Sequence, residues 1–425
     1  MKKLMLKKRY LIISFIIILL ILFTGYLMAC SNSIKVKAEN LMEGVKPFEV
    51  SGRAADDKYL RNTADFSIDL FKNSVSDSDN SLISPLSVML ALTMTANGAD
   101  KQTLSQMETV LGKDIPLEEL NQYLFYYVKN LPVEKKTNLR IANSIWFRDD
   151  SGLKINNDFL QKNANYYNAD IYKSPFNNQT VLDINNWVDA NTDGMIENIV
   201  DRINDDNIMY LINAVMFDAT WKKVYYKNDV SNDTFTSIDG KSQTVELMNS
   251  QESFYLEDGK ATGFMKPYYD NKYFFVALLP NEGISIKDYI QSLSGEAFYD
   301  MLNKVQVTTV YTALPKFSYD YAVNMNDALN SLGMPDAFSP DAADFSKLGA
   351  SQSGNIYISE VLHKTFITVD ELGTKAGAVT KVEMSDTAEM EKPKTVKLNR
   401  PFVFAIIDGT SKLPIFIGNV MSLGE

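Results

Sequence analysis

The sequence predicts one large domain of the α+β class with extensive β-sheet. The chain has 425 residues, of which 45% are hydrophobic and 22% are charged, so it can bury a large core. After about residue 56 no Pro-, Gly- or Ser-rich linker and no block of charge divides the chain, which favours a single domain. Helical periodicity early in the chain is followed by many strand-like runs, without a repeat of fixed period.

Two helices are predicted at the start of this domain. Ordered structure is expected to begin near Tyr59. A helical face then follows in the apolar residues Ala64, Phe66, Leu70 and Phe71. A second helix is predicted from Ser84 and Pro85, which are typical start residues, to Asn97 and Gly98, which are typical stop residues. Its interior is continuously apolar, and this indicates a buried helix.

Seven later segments have the apolar, β-branched and aromatic composition of strands. They are Leu139–Phe147, Leu211–Phe217, Tyr273–Leu279, Val305–Tyr311, Ile356–Val361, Phe402–Ile407 and Ile415–Val420. Because these segments are numerous and alternate with helical stretches, they predict a mixed architecture with much sheet.

The first thirty residues have the pattern of an export signal. Five cations precede the apolar stretch Tyr10–Phe23, and the only cysteine of the chain, Cys30, stands where a bacterial lipobox places its lipid-accepting thiol. We therefore predict a signal peptide at residues 1–29, a polar lipidated tether at residues 30–56, and the domain at residues 57–425. An uncleaved transmembrane anchor is the alternative, because the apolar run is long.

Both interpretations of the N-terminus place the domain outside the cell, since the positively charged flank stays cytoplasmic. The protein is predicted to be secreted and anchored as a lipoprotein to the outer face of the bacterial cell membrane. Without the five cations of residues 1–29, 37 Lys and Arg remain against 53 Asp and Glu, a net charge of −16. That charge argues against a nucleic-acid partner. We expect a monomer that contacts the membrane through its N-terminal lipid.

The sequence offers no credible catalytic or metal centre. His363 is its only histidine, which excludes zinc sites of the His-Glu-x-x-His type and leaves one possible base for a catalytic triad. Ser151–Lys154 and Ser78–Asn80 resemble fragments of β-lactamase motifs, but their order is reversed and no Lys-Thr-Gly follows. A lone histidine is more often a hydrogen-bonded structural residue. We therefore expect no enzyme activity, no cofactor and no metal.

Residues 369–384 differ from an ordinary half-buried strand. With a period of two, one face is small or apolar from Thr374 to Met384, while the opposite face carries three charges. Small residues are poor strand formers, yet they cluster at the start of this segment. The acidic, polar residues 386–393 that follow are typical of an exposed loop. Such a segment can pass into a sheet without steric clashes while it remains joined to a loop.

This segment resembles the proximal hinge and reactive-centre loop of the serpins, a family of serine protease inhibitors. Further motifs that resemble the same family follow in family order from about residue 60 to residue 420. They are Asn80–Thr103, Asn143–Phe147, Asn186–Val188, Thr192–Ile196, Leu211–Phe217 with Trp221, Leu314–Phe317, Leu332–Phe338, Ala343–Ser346 and Asn399–Phe404. Each motif is short, but the ordered set is specific.

The resemblance implies a serpin fold of three β-sheets with surrounding helices and an exposed reactive-centre loop at about residues 371–398. It implies a suicide-substrate inhibitor, which traps a target serine protease as an acyl-enzyme when the cleaved loop inserts into the central sheet. It assigns the hinge to Glu371, Gly373, Thr374, Ala376, Gly377, Ala378 and Thr380. It also places a polar cluster where the sheet parts, at Ser84, Ser87, Asn213 and His363. Trp221 is placed near the point at which the loop enters the sheet.

The scissile bond has two candidate positions. Family spacing counted forward from the hinge leads to Thr387-Ala388, whereas counting backward from the C-terminal motif leads to Met390-Glu391. The first is preferred, because the sheet fixes the inserted length while the distal side tolerates extra residues. A small Thr favours elastase-like or subtilisin-like proteases, and neither bond offers the Lys or Arg that trypsin-like proteases require. A non-inhibitory serpin that acts as an extracellular binding protein is the alternative.

Overall fold

The computed structural model describes residues 36–132, 136–149, 152–352, 354–374 and 393–424. Within these ranges it contains nine α-helices. They are α1 (Asp57–Ser74), α2 (Pro85–Ala96), α3 (Lys101–Gly112), α4 (Leu117–Lys129), α5 (Asn157–Tyr167), α6 (Asn178–Asn191), α7 (Ile286–Ser292), α8 (Gly295–Asn303) and α9 (Asn326–Leu332). Short 3-10 turns lie at Lys227–Asp229 and Pro335–Phe338.

The strands of the same ranges number eighteen. They are β1 (Glu39–Asn40), β2 (Ser81–Ile83), β3 (Thr137–Arg148), β4 (Lys154–Ile155), β5 (Asp170–Ser174), β6 (Met209–Thr220), β7 (Val230–Thr236), β8 (Ser242–Glu257), β9 (Ala261–Pro267), β10 (Tyr273–Pro280), β11 (Gln306–Pro315), β12 (Phe317–Asn324), β13 (Gly349–Ala350), β14 (Glu360–Val369), β15 (Gly373–Thr374), β16 (Lys394–Lys397), β17 (Phe402–Asp408) and β18 (Pro414–Val420).

These strands form three sheets. The central sheet has the order β1-β5-β3-β6-β15-β14-β12, and a nine-stranded sheet has the order β16-β11-β8-β9-β10-β17-β18-β2 with β7 paired to β8. A two-stranded ribbon joins β13 to β4. Helix α2 packs against β3, β6 and β18, so it fills the space between the two large sheets. The predicted α+β class is confirmed.

The two predicted helices are confirmed, and their ends follow from local chemistry. Helix α1 begins after Asp56, whose carboxylate accepts the backbone N–H of Tyr59 at 2.9 Å. Helix α2 begins after Ser84, whose hydroxyl accepts the backbone N–H of Ser87, with Pro85 in its first turn. All twelve residues of α2 are buried, which explains why its sequence is apolar on every face.

Six of the seven predicted strands coincide with observed strands to within a few residues at each end. The seventh prediction, Ile356–Val361, is wrong in its bounds, because β14 begins only at Glu360 and continues to Val369. Ile356 and Ile358 are buried without belonging to a strand, and the Ile358 N–H donates to the carbonyl of Ala337. Burial alone produced the strand-like apolar pattern of this segment.

Residues 36–56 lie along the domain, so ordered structure begins well before Tyr59, contrary to the expectation from sequence. Strand β1 pairs with β5, and the N–H of Leu41 donates to the carbonyl of Ile171 at 2.8 Å. Further along, the N–H of Phe48 donates to Asn165 Oδ1 at 2.7 Å. These contacts are made by backbone groups of the segment, so the polar character of its side chains does not indicate them. No helix among the described residues is long and apolar enough to cross a membrane.

Candidate functional site: the parting of the central sheet

The central sheet is closed at one end and split at the other. Strands β6 and β14 pair directly, in parallel, from Tyr210 opposite Glu360 to Ala214 opposite Lys364. At the far end β15 lies between them, antiparallel to both. Between these two points, residues 215–218 of β6 and 365–368 of β14 face each other, and no described residue pairs with their facing edges. The sheet therefore has space for a strand that β15 has begun to occupy.

A tight hairpin carries the chain from β14 into β15. The Asp370 carboxylate accepts the backbone N–H groups of Leu372 at 2.8 Å and Gly373 at 3.1 Å. A Cβ atom at Gly373 would lie only 2.0 Å from the carbonyl oxygen of Ala219. Glycine is required here because the backbones of two strands approach closely. The hinge residue Gly373 thus allows the turn to enter the sheet.

Thr374, the last described residue of the hinge, is buried where the split opens. It is 2% exposed, and its Oγ1 lies 2.6 Å from Tyr268 Oη. Tyr268 stacks on Trp221, with ring centroids 4.5 Å apart and planes 16° apart. The Trp221 indole N–H donates to the carbonyl of Asp370 at 2.9 Å. Trp221 and Tyr268 therefore both contact the hairpin and hold it in place. Burial raises the pKa of the Tyr268 hydroxyl.

Glu371 is held from two sides. Its carboxylate forms an ion pair with Lys316, which also contacts Glu246 at 2.9 Å. Its carbonyl accepts the backbone N–H of Tyr225 at 2.9 Å. Burial alone would raise the pKa of Glu371, but the hydrogen bond and charge of Lys316 lower that pKa below its ordinary value. The carboxylate consequently stays ionised and keeps the hinge attached to the end of β11.

A buried polar cluster lies where β6 and β14 are still paired. Asn213 is opposite His363 on one side and opposite Asn143 of β3 on the other. His363 Nε2 accepts the backbone N–H of Ser84 at 3.0 Å. The Ser87 hydroxyl donates to Asn143 Oδ1 at 3.1 Å. The cluster thus joins the start of α2 to three neighbouring strands.

Several polar atoms of this cluster have no partner among the described residues. They are His363 Nδ1 and both side-chain polar atoms of Asn213. Burial lowers the pKa of His363 to about 3, so the ring is neutral at physiological pH. A buried polar group without a hydrogen bond costs about 1–3 kcal/mol. These unpaired polar groups therefore reduce the net free energy that the cluster contributes to holding β6 against β14.

The structure brings Ser84, Ser87, Asn213 and His363 together, as the sequence predicted, and it separates Trp221 from them. Trp221 follows Asn213 by eight residues, or about 26 Å along the strand, and it contacts the hairpin at the point where the loop enters the sheet, as expected. The other predicted residues lie outside the described part of the chain. They are Cys30, Ala376, Gly377, Ala378, Thr380, Thr387, Ala388, Met390 and Glu391.

Sequence reasoning missed Asn143, Tyr268 and Lys316 as parts of the site. Asn143 and Lys316 lie within quoted family motifs, but nothing in those motifs indicates their partners. Tyr268 is 106 positions from Thr374 in sequence, so no local pattern could reveal their contact. Among the described residues, no group of three or more His, Cys, Asp or Glu side chains could hold a metal ion.

The sequence matches the family described as Serpin (serine protease inhibitor) over residues 61–423. The chain belongs to the serpin family. An uncharacterized serpin-like protein of Thermococcus kodakarensis is 30% identical over 84% of this chain and 84% of its own length. Human neuroserpin is 27% identical over 84% of this chain and 90% of its own length. Serpins act on proteases as inhibitors rather than as catalysts, and most members are protease inhibitors.

Solved serpin structures share the fold described above. The native state of tengpin, a thermophilic serpin, has a TM-score of 0.88 and 58% identity, and the match covers 91% of this chain and 100% of tengpin. The latent state of tengpin has a TM-score of 0.79 at the same identity, with 88% and 100% coverage. The predicted serpin fold is therefore confirmed. The described conformation is closer to the native form than to the latent form of that serpin.

Proposed function

We propose that this protein is a single-use inhibitor that traps a serine protease by inserting its cleaved reactive-centre loop between β6 and β14. The observation that carries the proposal is the half-open central sheet. Its two middle strands are paired at one end, and at the other they are separated by the hinge strand β15. The loop begins in register with the space that it would fill.

In the proposed mechanism the protease supplies the groups that cleave the loop, and this chain supplies the sheet into which the cleaved loop inserts. The protease serine attacks the scissile carbonyl, an ester forms, and the new amine leaves with a proton from the protease histidine. The hinge side of the loop then carries the bound protease, while the other side remains attached to β16, which pairs in parallel with β11. The cut frees the hinge side from that attachment.

Insertion must be faster than hydrolysis of the ester. Each new backbone hydrogen bond contributes about 1 kcal/mol net, and a dozen residues can form such bonds along both neighbouring strands. Insertion would start from an existing pairing, because Gly373 and Thr374 are already in register with Thr220 and Ala219. The unpaired polar atoms of Asn213 and His363 would reduce the cost of separating the remaining pairing between β6 and β14.

The scissile bond that we propose is Thr387-Ala388, with Met390-Glu391 as the alternative. Eighteen residues, 375–392, separate the hinge strand from Pro393, which immediately precedes β16. The small side chain of Thr387 supports an elastase-like or subtilisin-like target, since shallow specificity pockets accept small residues.

A denaturing gel tests the trap. The purified protein is incubated with a panel of serine proteases, and we expect an adduct that survives boiling with an elastase-like or subtilisin-like member. Mass mapping of the released C-terminal peptide is expected to place the cut after Thr387. Cleavage only after Met390 or Met384 would reject the bond assignment. Turnover without an adduct would favour the non-inhibitory binding protein instead.

We also propose that the protein acts outside the cell as a monomer, anchored by a lipid on Cys30. The proposal rests on the cations, the apolar stretch and the position of this single cysteine in residues 1–30. A membrane-attached inhibitor would protect the surface near its anchor.

A further inference from the structure

A cavity that the proposed trap does not use lies beside the nine-stranded sheet. It is surrounded by the end of β7, the loop between β10 and α7, and the connection from β16 to β17. Its volume is about 500 Å³, which is within the range of small-molecule sites. The backbone N–H of Thr236 donates to the carbonyl of Asn399 at 2.9 Å, so two of these walls are joined directly.

The one cation that lines this cavity forms no ion pair with any described residue. Arg400 donates through Nη2 to the carbonyl of Pro280 at 2.7 Å and through Nη1 to Asn399 Oδ1 at 3.3 Å. These two bonds hold the guanidinium group between two walls of the cavity. Because a guanidinium group has five N–H donors, others remain for a ligand. Its uncompensated charge and planar donor set are suited to a carboxylate.

A second polar group of the cavity is also unused. Ser237 is 9% exposed, and its hydroxyl has no hydrogen-bond partner in the ranges that the structure describes. Ser237 follows Thr236 and Arg400 follows Asn399, so the two groups lie on adjacent segments that are hydrogen-bonded to each other. The hydroxyl of so buried a residue normally has a partner, and a ligand oxygen in the cavity would supply one.

Much of the remaining wall is apolar. Ile238 is 40% exposed, and Ile284 and Pro401 line the same cavity. A ligand that covers these side chains would gain free energy by removing apolar surface from water. Glu282, which is exposed, is the one anion among the described lining residues. Because it would repel a second negative charge, it favours a ligand with a single one.

We propose that this cavity binds a small monocarboxylate with an apolar body. The carboxylate bonds Arg400 and Ser237, and the apolar body covers Ile238, Ile284 and Pro401. None of these residues belongs to the hinge or to the gap between β6 and β14. The inference therefore goes beyond the proposed inhibitory function and does not depend on it.

Titration of the full chain with octanoate tests the site. Ligand-observed NMR measures Kd, which we expect on the order of 1 mM for a ligand of this size. Octylamine keeps the apolar body but reverses the charge, and inorganic phosphate keeps a negative charge without an apolar body. Each should bind at least tenfold more weakly than octanoate. Equal binding of octylamine would reduce the site to an apolar groove, and equal binding of phosphate would remove the apolar body. Either result would overturn the proposal.

Three substitutions locate the bound octanoate. Arg400→Gln should raise Kd about tenfold, because it removes the charge-assisted hydrogen bonds. Ile238→Ser should raise Kd about threefold, because it removes apolar contact. Glu282→Gln should lower Kd about twofold, because it removes a screened like charge. Loss of folding cannot produce this last change, since it has the opposite sign.

Lys241→Gln is the matched charge control. The Lys241 side chain is 87% exposed, forms an ion pair with Asp239 and does not line the cavity, so Kd should stay within about twofold of the wild-type value. Arg400→Gln also removes the bond to Pro280, so the urea midpoint of every variant is measured. If that variant does not fold, Ile238→Ser and Glu282→Gln decide the question. Unchanged Kd in both of them, or an equal rise in Lys241→Gln, would overturn the proposal.

Discussion

Replacing Thr374 by arginine tests whether the hinge must lie inside the central sheet. Thr374 is buried between β6 and β14, and its hydroxyl contacts Tyr268. An arginine at this position would place a guanidinium group among aromatic rings and strand backbones. Because Thr374 is buried before any cleavage, the substitution affects the uncleaved protein as well as the inserted loop.

The expected slowing of insertion follows from the burial of residue 374. A buried charge left without a partner costs about 3–5 kcal/mol. The uncleaved variant can avoid that cost by releasing Gly373 and Thr374 from the sheet, which loses only the two-residue pairing of β15. The inserted loop cannot avoid this cost, because the residues after 374 can enter the sheet only if residue 374 itself lies between β6 and β14. Since each 1.4 kcal/mol slows a step tenfold, insertion should slow by about 10²- to 10⁴-fold.

The assay compares cleavage with trapping. We expect Thr374→Arg to be cut at the same bond and at a similar initial rate as the wild-type protein, to release active protease, and to leave no adduct on a denaturing gel. Thr374→Val removes the contact with Tyr268 Oη without adding charge and should still trap. Lys375→Arg should also trap, because the period-two pattern of the sequence predicts that residue 375 faces the opposite way from Thr374. Equal trapping by wild type and Thr374→Arg would refute insertion through this position.

Three further perturbations have defined outcomes. The pKa of His363 is about 3 in the folded protein and about 6.5 in an unfolded chain, so protons favour unfolding as the pH falls from 6.5 towards 3. This group should remove about 1.4 kcal/mol of unfolding free energy per pH unit in that window, and His363→Gln should flatten a plot of urea midpoint against pH. Glu371→Gln breaks the partly exposed ion pair with Lys316 while the contact of Lys316 with Glu246 remains, and it should lower the free energy of unfolding by no more than about 1 kcal/mol in urea titration. A larger loss would show that the hinge depends on this pair more than its exposure suggests. Cys30→Ala should release the protein from the membrane fraction, and unchanged retention would support an uncleaved helix.

Local pattern was sufficient for much of this fold. Helix α2 could be placed because its cap, its first-turn proline and its apolar interior are consecutive in sequence. Most strands could be placed because their apolar runs are bounded by turn residues. The segment before Tyr59 could not, because it attaches to β5 and α5 through backbone groups that every residue possesses.

The sequence identified several residues of the site, but it did not predict which of them contact one another. The ordered motifs identified Ser84, Asn213 and His363, but their meeting depends on helix α2 reaching two strands more than a hundred residues away. Trp221 was assigned to the point where the loop enters, while its stacking partner Tyr268 belongs to a different sheet region. Contacts of this range are fixed by packing of whole elements, which no short window of sequence contains.

The solitary imidazole of this chain gives the sheet a natural spectroscopic marker. His363 is the only histidine, and it is buried where β6 and β14 join. Its ring resonance in an untagged protein needs no assignment by mutagenesis. Separation of the two strands would hydrate the ring and return its pKa towards 6.5. The protonated fraction of His363 near pH 5 would therefore report the fraction of molecules in which the strands have separated. Acylation by a histidine-selective reagent would record the same event as a single mass shift, and would time the opening of the sheet without an introduced label.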